Sequence, residues 1–87
     1  MRRTLDGYTF YFGRRVGGPA RLGLLVTRRH APSANVRNYI KRCIREAFRL
    51  EQHQLGPVDV LVRPPLGVEP SSRMILQVRR LFSRLGK

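Results

Sequence analysis

Eighty-seven residues, 41% of them hydrophobic, are enough for one modest domain spanning 1–87 and no more, and at this size only about 60% of the unfolded chain's surface is buried on folding. Lys and Arg number 18 against five Asp and Glu, a formal net charge of +13, and sixteen of the eighteen cations are Arg. Such a chain repels itself unless a polyanion neutralises it. The arginine bias favours phosphate and base recognition, so nucleic acid is the leading partner and an anionic membrane surface the weaker rival; no apolar run approaches the roughly 20 residues that cross a bilayer.

In chain order, Tyr8 to Phe12 is rich in strand formers and alternates, with Tyr8, Phe10 and Phe12 on one side and Thr9 and Tyr11 on the other. Val16-Gly17-Gly18-Pro19 is a turn-rich connection, and a second apolar run, Leu22 to Thr27, follows at hairpin distance. The two runs are expected to pair as antiparallel neighbours. Gly23 inside the second marks a bulge or a close backbone approach. Arg28, Arg29 and His30 form a basic loop before Pro32, and Ser33 or Asn35 supplies an N-cap oxygen.

Val36 to about His53 is an amphipathic helix ended by Gly56-Pro57. Val36, Tyr39, Ile40, Cys43, Ile44, Ala47 and Leu50 fall on one arc; Arg37, Asn38, Lys41, Arg42, Arg45 and Arg49 fall on the other. Like charges four residues apart each destabilise a helix by ~0.2–0.5 kcal/mol, and a merely solvated face alternates sign. This one does not, which points to phosphate. The arginine bias agrees, because a planar guanidinium binds phosphate through paired hydrogen bonds and stacks on bases.

Val58 to Arg63 is a third strand, parallel to the Leu22–Thr27 run, and Pro64-Pro65-Leu66-Gly67 breaks it. Ser71 caps a last helix from Ser72 to Leu85. Met74, Val78, Leu81, Phe82 and Leu85 lie at helical spacing, with Arg73, Arg80, Arg84 and nearby Lys87 opposite. The order strand, strand, helix, strand, helix is an α+β arrangement, a small sheet with two helices packed on it.

Catalysis by the chain's own groups has little support. Asp6, Glu46, Glu51, Asp59 and Glu69 are scattered, and no spacing gathers them into a metal site. Glu46 is placed to pair with Arg42 or Arg49 along the helix. His30 and His53 are a helix length apart. Cys43, the one cysteine, reads as a buried thiol in a reducing cytoplasm, and no signal peptide is visible. Two aromatic sets stay open between packing and base stacking: Phe48 at the margin of the basic arc, and Tyr8, Phe10 and Phe12 on their strand.

The run Arg37-Asn38-Tyr39-Ile40-Lys41-Arg42-Cys43-Ile44-Arg45-Glu46-Ala47-Phe48-Arg49 resembles the signature of the bacterial ribonuclease P protein component: an Arg-Asn pair, then Lys-Arg, then Arg-Glu-x-Phe-Arg. Leu22 to Arg29 and Val58 to Pro64 resemble the strands flanking that helix. The resemblance implies a left-handed β-α-β crossover and a protein without catalytic groups of its own. In that family the RNA subunit cleaves precursor tRNA with Mg2+, which is bound mainly by RNA and substrate, to give mature 5′ ends. The protein binds the catalytic RNA and the precursor's 5′ leader, needing no membrane and no obligate protein partner.

Carried over by position, Arg37, Asn38, Lys41, Arg42, Arg45 and Arg49 face RNA, with Arg28 and Arg29 beside them; Tyr8, Phe10, Phe12 and Phe48 are the candidates for the leader. Tyr39 replaces the Arg that usually follows the Arg-Asn pair, and Pro32 and Asn35 replace a Gly and a β-branched residue. The family's N-terminal helix has no counterpart in these 87 residues, so the sheet is expected to stand without it. The rivals are a structural, for example ribosomal, RNA-binding protein and a DNA-binding module, the latter disfavoured because no helix-turn-helix pair is visible.

Overall fold

Leu5-Asp6-Gly7-Tyr8 reverses the chain in two residues. Asp6 (φ 52°) and Gly7 (φ 82°) both occupy the left-handed region, the pattern that an Asp-Gly hairpin turn adopts because its twist matches that of the strands it joins. The turn creates a strand that the sequence reading missed, β1 (Arg2–Leu5), paired antiparallel with β2 (Tyr8–Arg14). In the computed structural model, which describes residues 1–86, β3 (Arg21–Leu24) follows, then α1 (Ala34–Glu51), a 3-10 turn (Gln52–Gln54), β4 (Val58–Arg63) and α2 (Met74–Leu85). Lys87, named above beside the last helix, lies outside the described residues.

The sheet order is β1-β2-β4-β3. The expected hairpin between the Tyr8 and Leu22 runs is therefore corrected. β2 and β3 are not neighbours; β4 lies between them, antiparallel to β2 and parallel to β3. The parallel relation of β3 and β4 is as expected, with α1 as the crossover between them. The physical reason is burial: Val58, Val60 and Val62, at most 5% exposed, have partners on both sides only in a central strand.

Register separates the two faces. Arg3, Phe10, Val62 and Leu24 lie in one row across the sheet, and Phe12, Val60 and Leu22 in the next; these rows face the helices. Arg2, Tyr11, Leu61 and Gly23 form the corresponding row on the other face, with Thr4, Thr9 and Arg63 beside it. Among the described residues, no helix covers this second face.

The core sits between the first face and the helices. Phe82 is fully buried and meets Phe10 and Phe48 edge-on, with ring centroids 5.6 and 5.7 Å apart. From α1, Ile40, Cys43, Ile44, Ala47 and Phe48 are buried, and from α2, Met74, Val78 and Leu81. Ser33 caps α1, its Oγ accepting from Val36 N–H at 3.4 Å. Ser71 acts ahead of α2 rather than as its cap: its Oγ accepts from Arg73 N–H at 3.2 Å, and the helix begins at Met74, two residues later than expected.

One residue departs from its expected face of α1, and one acid that the arcs left unassigned is buried at the helix end. Tyr39 turns outward, and its hydroxyl donates to Ser71 O at 3.1 Å, tying α1 to the segment before α2. Glu51 is buried instead, accepting from Arg79 Nε at 2.7 Å and Gln54 Nε2 at 2.6 Å. This carboxylate is the one acid spent on holding the two helices together. Gly7 offers a test of the hairpin. A Cβ there would stand 3.2 Å from Pro65 Cβ on a left-handed backbone, so Gly7→Ala is expected to cost about 1–2 kcal/mol in chemical denaturation.

Candidate nucleic-acid interface

Few acids means few neutralised cations, and the acids present select which cations remain free. Asp59 takes two: Arg21 Nε and Nη2 donate to its carboxylate at 2.7 and 3.0 Å, and Arg15 Nε lies 3.2 Å away. Those partners hold Asp59 below the usual carboxylate range. Glu46 takes Arg49, whose Nε donates to Oε2 at 3.1 Å, as its sequence spacing allowed. Glu51 takes Arg79. Among the described residues no three His, Cys, Asp or Glu side chains converge as metal ligands. The donor set does not fit a resident Mg2+.

The basic arc of α1 then divides by what each side chain does. Arg37 is half-buried and its Nη1 donates to Ala31 O at 2.9 Å and Pro32 O at 2.8 Å. It fastens the turn that leads into the helix and leaves the rest of its fork for a ligand. Arg49 is shared with Glu46. Asn38, Arg42 and Arg45 are exposed and Lys41 is half-buried, and no described carboxylate pairs with them. Lys41 and Arg45 line a groove with Phe48 and with Leu22 and Leu24 of the β3 edge. Arg28 and Arg29 are exposed in the loop between β3 and α1.

The aromatic candidates require correction. Tyr8 and Phe10 are 1% and 0% exposed, beneath the helices, and cannot stack on a base; Phe12 faces the same way and is half-buried. Burial also keeps the Tyr8 phenol neutral, its pKa pushed up to about 12 by desolvation and then by Cys43. Phe48 is 8% exposed and packs on Phe82, so only its margin reaches the groove. The aromatic ring available on the open face is Tyr11, set between Arg2 and Leu61, with Gly23 beyond. The alternation of Tyr8 to Phe12 already put Tyr11 opposite the others. What it lacked was which side the helices cover.

His30 was also passed over. It is 4% exposed, and its Nδ1 accepts from Thr27 N–H at 2.8 Å, which closes the loop before α1. Burial first, then the Arg63 and Arg29 cations, hold its imidazole below the ordinary value of 6.5. As pH falls the unfolded chain therefore takes the proton first, so this stabilisation is complete above about pH 6.5 and is lost below it. Urea unfolding at pH 7.5 and 5.5 is expected to show a larger loss of stability in wild type than in His30→Asn.

The Ribonuclease P family description matches residues 2–86 of the chain. The chain belongs to the ribonuclease P protein family. The ribonuclease P protein component of Saccharophagus degradans is 44% identical over 70 residues, 80% of this chain and 50% of that protein. That of Thioalkalivibrio sulfidiphilus is 37% identical over 81 residues, 91% of this chain and 68% of that protein. The chain thus spans about half the length of the first of these curated relatives. Among solved structures, the RNase P protein of Thermotoga maritima superposes with a TM-score of 0.74 at 23% identity, over 97% of this chain and 82–84% of that one. The Staphylococcus aureus RNase P protein gives 0.70 at 21% identity, over 98% of this chain and 76% of that one. At such identities the likeness speaks for the fold. This chain's fold, a four-stranded α+β sheet with two helices on one side, is shared with those RNase P proteins over the superposed part.

Proposed function

We propose that the chain is the protein subunit of a ribonuclease P ribonucleoprotein, binding the catalytic RNA and the 5′ leader of precursor tRNA. The observation that carries this is the separation of two RNA-sized surfaces. The exposed cations of α1 lie on the helical side, and Arg28 and Arg29 stand in the loop that leads into it. The open sheet face, with Tyr11 between Arg2 and Leu61, lies on the other. Cations suit a folded RNA's phosphates; an aromatic ring on an uncovered sheet suits unpaired bases, which stack on it with little regard to sequence. In this assignment α1 holds the catalytic RNA and the sheet holds the leader.

The chain's own part in leader removal is then positional. It binds, orients and neutralises, raising the local concentration of precursor near the RNA's reactive groups. Cleavage and its Mg2+ belong to RNA and substrate; three of the five carboxylates, Asp59, Glu46 and Glu51, are engaged by arginine, and none is assigned a metal step. The setting is the cytoplasm, where precursor tRNA is processed; no helix among the described residues is long and apolar enough to cross a membrane. Reconstitution with the cognate catalytic RNA is the test. Stimulated precursor cleavage at low Mg2+, with none by the protein alone, is expected. Absence of stimulation at every protein concentration would sink the proposal.

A further inference from the structure

The last helix carries a basic side that belongs neither to α1 nor to the open sheet face. Arg73 at its N-cap, then Gln77, Arg80 and Arg84, follow at the helical period. They fall within about 60° of one another around the axis and extend along about 16 Å of it. All four are exposed. The segment Met74–Leu85 contains no Asp or Glu, and no described carboxylate pairs with Arg73, Arg80 or Arg84. A solvated helix face normally interleaves acids with its cations, because like charges four residues apart, as at Arg80 and Arg84, destabilise the helix.

This stripe stands apart from the α1 cations. On the flank toward α1, Arg79 Nε donates to Glu51 at 2.7 Å and Ile75 lies beside Tyr39 and Cys43; the helical period turns Arg73, Arg80 and Arg84 away from that flank. Phe82 meets Phe10 of β2, and Arg3 of the edge strand β1 donates through Nη1 to Arg84 O at 3.5 Å. Helix α2 therefore lies over the β1–β2 half of the sheet. Lys41 and Arg45 of α1 stand at β3, the opposite edge. At a strand spacing of about 4.8 Å the two edges are about 14 Å apart, beyond the roughly 8 Å over which salt water lets charges interact. Phosphates bound on α1 thus leave the α2 stripe uncompensated.

The side chains themselves define the ligand. Guanidinium groups take phosphate oxygens through paired hydrogen bonds. Arg73, Leu76, Gln77, Arg80 and Arg84 are the exposed residues from the N-cap to the end of α2, and none offers a ring on which an unpaired base could stack. A row of cations without a ring suits the backbone of base-paired RNA, which is recognised by shape and phosphates. We infer that Arg73, Gln77, Arg80 and Arg84 form a second RNA-docking surface for the phosphate backbone of a base-paired segment other than the one on α1, so that the chain bridges two RNA segments. The surface rests on the RNA-binding function proposed above and extends it. Catalytic RNA and the body of precursor tRNA present the same backbone chemistry, and the experiment separates them.

The triple variant Arg73→Gln/Arg80→Gln/Arg84→Gln leaves the Glu51–Arg79 pair and the core in place. Binding of the full chain to its cognate catalytic RNA, and of that complex to precursor tRNA, is measured across salt concentrations. The RNA that occupies α2 is expected to lose about tenfold or more in affinity, its log–log salt slope flattening by about 2.5 units if each arginine neutralises one phosphate. Arg80→Gln alone should flatten it by about 0.9 units and serves if the triple variant fails to fold. Cross-linking from Leu76→Cys, on the flank of the stripe, is expected to reach a base-paired segment distinct from the one reached from Asn38→Cys on α1; the native Cys43 is buried. Cross-links in catalytic RNA or in precursor tRNA identify the source. Unchanged affinity and slope for both RNAs in folded variants would overturn the second surface alone. Cross-links to unpaired nucleotides, or from both cysteines to one segment, would also overturn it. Failure of the wild-type chain to bind catalytic RNA would overturn this surface and the function it rests on together.

Discussion

Phe82→Ala is expected to cost about 3–5 kcal/mol, the range for emptying a buried aromatic site. Phe82 is fully buried and is the ring on which β2, through Phe10, and α1, through Phe48, both close edge-on. Each such pair contributes about 0.5–1.5 kcal/mol beyond the area it buries. For a domain of this size, 1 kcal/mol moves the melting temperature by about 4–8 °C, so the fall should be roughly 15–30 °C. Thermal unfolding followed by circular dichroism measures it directly. A drop of under about 5 °C would mean that sheet and helices close without this ring. Because whole domains are stable by only about 5–15 kcal/mol, the variant is expected to be partly unfolded at physiological temperature.

The double variant Lys41→Ala/Arg45→Ala is expected to act in the opposite way, on RNA affinity and not on the fold. Both side chains line the groove at the β3 edge, and neither is engaged by a described carboxylate. Removing two charged hydrogen bonds at about 1.5–3 kcal/mol each should weaken catalytic-RNA binding on the order of a hundredfold or more. The log–log salt slope should flatten by about 1.5 units if each cation neutralises one phosphate. Melting should stay level or rise slightly, since the variant relieves like-charge repulsion along α1. Arg37→Ala is the contrasting case. Its guanidinium also holds Ala31 O and Pro32 O, so its loss should lower stability and affinity together. An unchanged salt slope in the double variant would take the groove off the interface.

These expectations draw on different amounts of sequence. Helix α1 was legible because one stretch carries an apolar arc and a one-signed arc at the helical period, and its exposed cations are found where that period puts them. The correction at Tyr39 is local: it sits at the edge of the apolar arc, where Ser71 O, distant in sequence, takes its hydroxyl. Glu51 falls within that arc at the helical period and is paired there with Arg79, also distant in sequence. The Asp6-Gly7 turn was written in the sequence and passed over, although Asp-Gly between strand formers is a strong short-range hairpin signal.

The sheet order was a different matter. The Tyr8 and Leu22 runs look like hairpin neighbours because only a short, turn-rich segment joins them. Yet β4, far along the chain, lies between them. Its three valines are buried beneath the helices in the central place of the sheet, flanked by β2 and β3, which lie far from β4 in sequence. The aromatic assignment failed for the same reason. Period-two alternation separates Tyr8, Phe10 and Phe12 from Tyr11, but it carries no sign: nothing within five residues says which face the helices will bury.

By itself, then, the sequence determined the charge imbalance, the basic helix and the family, because charge balance and helical spacing are local properties of the chain. Only the tertiary structure decided that Tyr11 and not Phe10 faces outward, that Arg37 is partly committed to its own backbone, and that His30, Arg29 and Arg63 meet in one basin. Those outcomes depend on contacts between residues tens of positions apart, where the competition to bury apolar surface overrides what each segment would choose alone.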